Sequence, residues 1–381
     1  MVGVGDLLGC GYYRCALPYR HLAARGFDVV LTNGITIPDG NTIVWADREL
    51  KIKDLSALVL QRQHNPTVYA IATHIKAAGG KIITEFDDYF HDLPPNNPAR
   101  LAYPKGGETL AYLEKFMVLS DVISVSTENL KTNYLKFNSN IWVCPNVVER
   151  ESFKRETANP LTEDGEFRLG WAGSATHHDD LVTIVKPISE LMYEFPQMKF
   201  VFVGQFYKNL FPGDLHKRME NHGHTYPVEN GKALFYSPDH INPVIKYYDL
   251  LNNARLHAAI APLLQVTFNR SKSPVKILEY GVCGIPYVAT NYGPYANITN
   301  NATHKPIGLL ADRNPEWKRN IKRLITDESF RQSLAINNRN NILENHTIDT
   351  GINNWLQMLA SVGLEPGDEE GKYEEIIVPS V

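Results

Sequence analysis

The sequence predicts an α/β protein made of two tandem Rossmann-like domains facing each other across a cleft. Three observations predict it. Short apolar runs suited to buried parallel strands alternate with helical segments, in one series over residues 1–155 and in a second over 166–345. A charged stretch at 149–166, with Asn159-Pro160 and Asp164-Gly165 turn signals, separates the two series. The length of 381 residues, 43% of them hydrophobic and 21% charged, is enough for two ordinary cores.

In the first series the expected strands are 2–4, 28–32, 57–60, 81–86, 122–126 and 141–144. Strands alternating with helices pair in parallel through right-handed crossovers, and a ligand crevice then lies beyond their C-terminal ends. That rule selects the loops 61–66, 85–98 and 145–153, besides the turn after the first strand. Gly3, Gly5, Gly9 and Gly11 in that turn let backbone amides come close to a ligand. Their spacing is not the dinucleotide fingerprint. Arg14 is the ligand-contact candidate there, with Tyr12 and Tyr13 read first as packing. The loop 85–98 crowds Glu85, Asp87, Asp88, His91 and Asp92 together. Crowding can raise a carboxylate's pKa or let a His–Asp pair take up a proton, so Asp88 and His91 are the catalytic candidates.

The second series has expected strands at 167–171, 199–203, 233–236, 257–261, 285–290 and 308–310. The first of these runs into Gly173-Ser174-Ala175-Thr176-His177-His178-Asp179-Asp180, where a helix beginning near His178 would favour an anion. The two histidines diverge and no third ligand accompanies them, so no metal site is expected. The stretch 269–292 reads NRSKSPVKILEYGVCGIPYVATNY. Arg270, Lys272 and Lys276 span a loop and a helix start, and Glu279 follows Lys276 on the same helix face. Cations and free amides there would hold phosphate, and the carboxylate would accept ribose hydroxyls. Gly281 and Gly284 are read as ending that helix. Residues 346–381 supply a last amphipathic helix through Ile352, Trp355, Leu356 and Leu359, then an acidic tail from Glu365 expected to be mobile.

A net charge of −4 gives no global attraction to nucleic acid or an anionic membrane. Cys10, Cys15, Cys144 and Cys283 have no metal-ligand spacing and read as reduced thiols, which points to the cytoplasm, or the host cytoplasm for a phage-encoded chain. No apolar run approaches membrane-spanning length.

The segment Lys276, Glu279, Gly284, Pro286 resembles the donor-binding helix of GT-B glycosyltransferases, roughly K-x-x-E-x-x-x-x-G-x-P. GWAGS-x-x-H-x-x-D resembles their donor-side loop and GCGYYR their N-terminal loop at the cleft. Gln61-Arg62 and the Asp-Asp-aromatic segment with Pro-x-x-N-P resemble stretches of phage and bacterial members. The resemblance implies transfer of a sugar from a UDP- or GDP-sugar, with no cofactor or metal required. Gly173, Ser174, Thr176, His177, Arg270, Lys272, Lys276 and Glu279 would bind the donor. Gly11, Tyr13, Arg14, Arg62 and Asp87 would line the acceptor side. The acceptor would be a glycan, a small molecule or a modified DNA base. A phage-type hydroxymethyl-pyrimidine glycosyltransferase and a non-catalytic sugar-nucleotide binding module are the alternatives. One departure stands out. Ser271 occupies the position where retaining members place the first of two glutamates, although the Lys276–Glu279 pattern matches the retaining group.

Overall fold

The computed structural model describes residues 1–6, 8–223 and 243–376. The strands of the first half are β1 (Val2–Gly3), β2 (Val29–Thr32), β3 (Thr42–Trp45), β4 (Arg48–Lys51), β5 (Ala57–Gln61), β6 (Lys81–Phe86), β7 (Val122–Val125) and β8 (Ile141–Val143). The second half adds β9 (Phe167–Gly173), β10 (Met198–Gly204), β11 (Met219–Gly223), β12 (Ala258–Ala261), β13 (Tyr287–Thr290), β14 (Leu309–Ala311) and β15 (Tyr373–Ile376). They form two parallel sheets, ordered β15-β2-β1-β5-β6-β7-β8 and β11-β10-β9-β12-β13-β14, and an antiparallel hairpin β3-β4. The expected strand 233–236 lies outside the described residues.

Alternation along the buried strands splits each sheet between two layers of helices. Leu58, Leu60 and Ile82 pack with Ile71, Ile75 and Phe116 of the helices Pro66–Ala77 and Glu108–Leu119. Their neighbours Val59 and Ile83 turn to the other face, where Leu22 and Trp355 belong to the same apolar cluster. That cluster continues through Val147 and Val148 into Ala259, Ala261 and Ile277 of the second domain. One core therefore spans both halves.

The helix Ile348–Ala360 lies on the first domain, where Asn354 Nδ2 donates to the Val143 carbonyl at 2.9 Å. The acidic segment beyond Glu365 is not all tail, because β15 pairs in parallel with β2. Without it β2 would be an open edge with unpaired amides. Tyr373 and Ile376 give the strand apolar contacts that an acidic composition hides. The hairpin β3-β4 was also missed by the sequence reading; Ala46 turns it in the left-handed region, at φ 51°. Gly281 does not end its helix. It sits inside Val275–Val282, and a Cβ there would come 2.1 Å from Ile342 Cδ1, so glycine permits close packing against the helix Glu328–Asn345. The turn that follows takes its positive φ at Gly284, 63°.

Arg14 pins this arrangement, and is not open to a ligand as the sequence suggests. Its guanidinium is fully buried on a π-helical turn, Tyr12–Ala16. Nε meets Glu85 Oε1 at 2.5 Å, and Nη1 donates to the Cys144 carbonyl and, at 2.9 Å, to Asn146 Oδ1. The Trp355 ring lies 5.6 Å from its charge centre. Two strand ends, those of β6 and β8, and the last helix thus converge on one cation. Removing one partner of such a pair strands the other charge in the core, whereas replacing both by apolar groups is far milder. Arg14→Met should therefore cost about 3–5 kcal/mol, and Arg14→Met with Glu85→Met should regain most of it. Urea midpoints at constant m-value check this, and equal losses in the single and double variants would refute it.

Candidate active site

The C-terminal ends of both sheets face each other, and the loops there form the cleft. On the second-domain side, β9 ends at Gly173. A Cβ there would lie 2.7 Å from the Trp171 ring and 3.0 Å from Lys276 Nζ, so glycine makes room for the lysine. Lys276 is buried, donates to the Ala172 carbonyl, and has its ammonium 5.3 Å from the centre of the Trp171 ring. Burial pushes its pKa down to about 8, partly offset by Glu279. Ser174 and Thr176 are exposed, their hydroxyls 3.0 Å apart. A 3₁₀ turn, Ala175–His177, leads into the short helix His178–Val182.

His177 Nδ1 lies 2.8 Å from Asp180 Oδ2. Asp180 Oδ1 accepts from the Leu264 amide at 2.7 Å and from Asn269 Nδ2 at 2.8 Å, which ties this loop to the one carrying the cations. Burial, then the nearby Lys272, pushes His177 down to about 3. The imidazole is neutral; with Asp180 ionised, Nδ1 carries the proton and Nε2 keeps its lone pair. Lys272 has its ammonium 4.9 Å from the Phe268 ring centre, and Arg270 is exposed.

Glu279 is where the two domains meet most directly. Its Oε1 accepts from the Tyr13 hydroxyl at 3.1 Å and its Oε2 from Tyr247 at 3.2 Å, and the Tyr13 and Tyr248 hydroxyls are 2.6 Å apart. Burial pushes Glu279 up to about 7, with Lys276 and the two tyrosines acting against it. Tyr13 thus reaches across to Glu279, while its neighbour Arg14 is locked against Glu85.

On the first-domain side, Asp6 Oδ2 pairs with Arg62 at 3.1 Å, and Arg62 Nε lies 3.7 Å from Asp87 Oδ1. Arg62 adopts the left-handed region, at φ 49°. A Cβ on Gly11 would fall 1.8 Å from the Asp6 carbonyl, so only glycine lets the turn close. Burial alone would raise Asp87, but Arg62 and a hydrogen bond from Cys10 hold it below the usual carboxylate range. Asp88 is raised by burial, opposed chiefly by Lys272 from the other domain. His91 does not join this group. Its Nε2 lies 3.2 Å from Glu114 and its ring stacks on Phe137 at 5.4 Å, both within the first domain.

The cation loop is also held from across the cleft. Thr127 Oγ1 donates to the Ser271 carbonyl at 2.8 Å, Asn129 Nδ2 to Arg270 O at 3.0 Å, and Asn146 Nδ2 to Ser273 Oγ at 2.9 Å. Ser271 is fully buried, and its hydroxyl donates to the Thr267 carbonyl at 3.1 Å, so no carboxylate stands at that position. Sequence reasoning left Asp6, Asn146, Tyr247 and Tyr248 out of the site, and quoted Asp180 only as the last residue of the donor-side motif. Asp6 was discoverable as the acid inside the glycine-rich turn. The two tyrosines were not, since on the helix Pro243–Asn253 they look like ordinary core residues. Among the described residues no cluster of three His, Cys, Asp or Glu has metal-binding geometry, and no helix is long and apolar enough to cross a membrane.

The neutral His177 makes a prediction about pH. Its pKa falls from 6.5 in the unfolded chain to about 3 in the fold, so between those values the unfolded chain binds the extra proton. Its contribution is complete above pH 6.5 and lost on acidification, at up to about 1.4 kcal/mol per pH unit. The slope of stability against pH between 6 and 4 should be shallower in His177→Asn than in the wild type. Identical slopes would show that the imidazole is not held neutral.

No family model matches the chain, and no curated protein matches it in sequence. Solved structures match it in fold. Anabaena HepE, in a crystal structure with UDP and glucose, aligns with a TM-score of 0.52 at 12% identity, over 81% of this chain and 78% of that one. A glycosyltransferase from Rickettsia africae ESF-5 aligns with a TM-score of 0.51 at 14% identity, over 81% and 77%. TarM aligns with a TM-score of 0.53 at 13% identity, over 85% of this chain and 62% of that one. Likeness at such identities carries architecture alone, and the architecture is clear: this chain has the GT-B fold.

Proposed function

We propose that this protein is a glycosyltransferase that moves a sugar from a nucleotide-sugar to an acceptor hydroxyl. The observation that carries the reading is the pairing of a buried ammonium, Lys276, with a carboxylate one helical turn on, Glu279, at the wall of the cleft. In this reading the diphosphate lies against Gly173, Ser174, Thr176, Arg270, Lys272 and Lys276. Ribose hydroxyls take over the hydrogen bonds that Tyr13 and Tyr247 make to Glu279. His177, with an accepting Nε2, receives a sugar hydroxyl and not a phosphate oxygen. UDP-sugars are the first donors to test, since HepE and TarM have been solved with UDP.

As the bond from the anomeric carbon to the diphosphate breaks, negative charge builds on the leaving group, and the three cations stabilise it without a metal. The acceptor oxygen forms the new bond and its proton passes to Asp88, whose raised pKa suits a base. His91 has no part in this, because Glu114 and Phe137 hold it away. The Lys276–Glu279 pattern supports a retaining outcome, without help from a carboxylate at Ser271. Asp6, Asp87 and Asp88 make the acceptor wall acidic, which favours a glycan or small molecule over a polyanion such as DNA. The four unpaired thiols fit a cytoplasmic setting.

Calorimetry tests the donor site. Lys276→Ala should weaken UDP binding by about 1.5–3 kcal/mol, as for a charge-assisted hydrogen bond. Glu279→Ala should weaken UDP binding while leaving pyrophosphate binding nearly intact. Unchanged affinities in both variants would sink the assignment.

Turnover tests the base. Asp88→Asn should lower transfer at least about tenfold, or 1.4 kcal/mol in barrier, with donor affinity kept. His91→Ala should stay within about threefold, roughly 0.7 kcal/mol. The reverse ranking would return the proton to His91.

A further inference from the structure

Beside the acidic loop, the first domain holds a cavity that belongs to neither the donor cations nor Glu279. It measures about 190 Å³ and is lined by the segments 90–95 and 100–105, together with Leu110 of the helix Glu108–Leu119. Phe90, Leu93 and Leu110 are buried and supply its apolar part, and the half-buried Tyr103 has its ring centre 4.4 Å from that of Phe90. Arg100 and Lys105 line it as exposed cations, and neither forms an ion pair with a described residue. Sites for a whole drug-sized ligand run to about 300–1,000 Å³, so this space suits one unit of a longer molecule.

The lining narrows that unit's chemistry. Aromatic and aliphatic groups give the faces of a sugar ring an apolar surface, while its edges keep their hydroxyls for polar partners. A guanidinium meets a carboxylate or phosphate with a two-pronged set of donors, and an ammonium adds a point charge. Asp92 is the single carboxylate in the lining, and His91, whose pKa burial lowers, adds no charge at neutral pH. The balance therefore favours an anionic group.

The cavity also adjoins the place where the acceptor is expected to react. Phe90 lies two residues beyond Asp88, at most ~7 Å along the chain. Tyr103 packs edge-on against His64 of the cleft loop 61–66, ring centres 5.5 Å apart. After burial, the charges acting on its hydroxyl are those of Arg62, Asp87 and Asp88. An acceptor seated at Asp88 thus has its next unit within reach of the cavity.

Resting on the glycosyltransferase reading above, we propose that this cavity is an acceptor subsite for one acidic sugar unit, a uronic acid or a phosphorylated sugar, joined to the unit that reacts. The acidic wall takes the uncharged reacting unit, and Arg100 and Lys105 take the acid group of its neighbour.

The test uses three disaccharides on one skeleton: cellobiose, cellobiuronic acid, which has a carboxylate in place of one hydroxymethyl group, and cellobiose phosphorylated at that same position. Each is titrated by calorimetry into the full chain saturated with UDP, so that the donor cations are occupied. At least one acid should bind at least about tenfold more tightly than cellobiose, equivalent to roughly 1.4 kcal/mol, and the stronger of the two separates carboxylate from phosphate. Arg100→Ser combined with Lys105→Ser, both at exposed positions, should bring that acid to within about twofold of cellobiose, or roughly 0.4 kcal/mol. Equal affinities for the acids and cellobiose, or a preference that survives the double substitution, would overturn the subsite. The UDP titration that precedes each run reports on the parent reading separately. A chain that binds an acid through Arg100 and Lys105 but does not bind UDP keeps this binding site and loses the transferase, whereas UDP binding without an acid preference loses only the subsite.

Discussion

A guanidinium with no access to water sets the geometry of this protein. Arg14 has only the fold to supply its partners, and Nε and Nη1 find theirs on β6 and at the end of β8, with Trp355 of the last helix beside the charge. Burying an unpaired cation would cost several kcal/mol, so these segments have little freedom to separate. The consequence for the cleft is direct. Tyr13 precedes Arg14 on the same π-helical turn and reaches Glu279 in the other domain. Asn146, which accepts from Arg14, donates to Ser273 in the cation loop. A single buried charge thereby fixes both sides of the site.

The two walls of the cleft differ in charge, and that difference gives each a chemical task. The second domain presents Arg270, Lys272 and Lys276, with the two ammonium groups beside the Phe268 and Trp171 rings. The first domain presents Asp6, Asp87 and Asp88 around one arginine. Lys272 is the main charged neighbour opposing the rise in Asp88, so the two walls already sense each other without a ligand. In the proposed transfer a negatively charged leaving group would lie on the first of these surfaces, and a hydroxyl losing its proton on the second.

Much of the fold was legible because buried parallel strands are plain apolar runs. β6 falls on the expected residues, and β5, β7 and β10 differ by a residue at one or both ends. What hid was structure whose signal is not hydrophobic. β15 is half acidic and exists because β2 needs a partner, and the hairpin β3-β4 turns on an alanine in a conformation that residue rarely adopts. Lys276, Glu279 and the glycine at 173 stand out from spacing, and the structure brings Lys276 Nζ against Gly173 and Glu279 against Tyr13 of the first domain. The errors were about direction. Arg14 and His91 have the right chemistry in the right loops, but one is locked by Glu85 and the other by Glu114. Sequence names the residues in a loop; only packing decides which of them face outward.

The central claim is that the Lys276–Glu279 wall and the acidic wall together transfer a sugar. The most direct measurement follows nucleoside diphosphate released from a panel of nucleotide-sugars, with and without glycan and small-molecule acceptors. Acceptor-dependent release from at least one donor, lost with Lys276→Ala in a protein that still folds, is the predicted result. Tight UDP-sugar binding with no release under any acceptor would contradict it, and would leave a binding module on a GT-B frame.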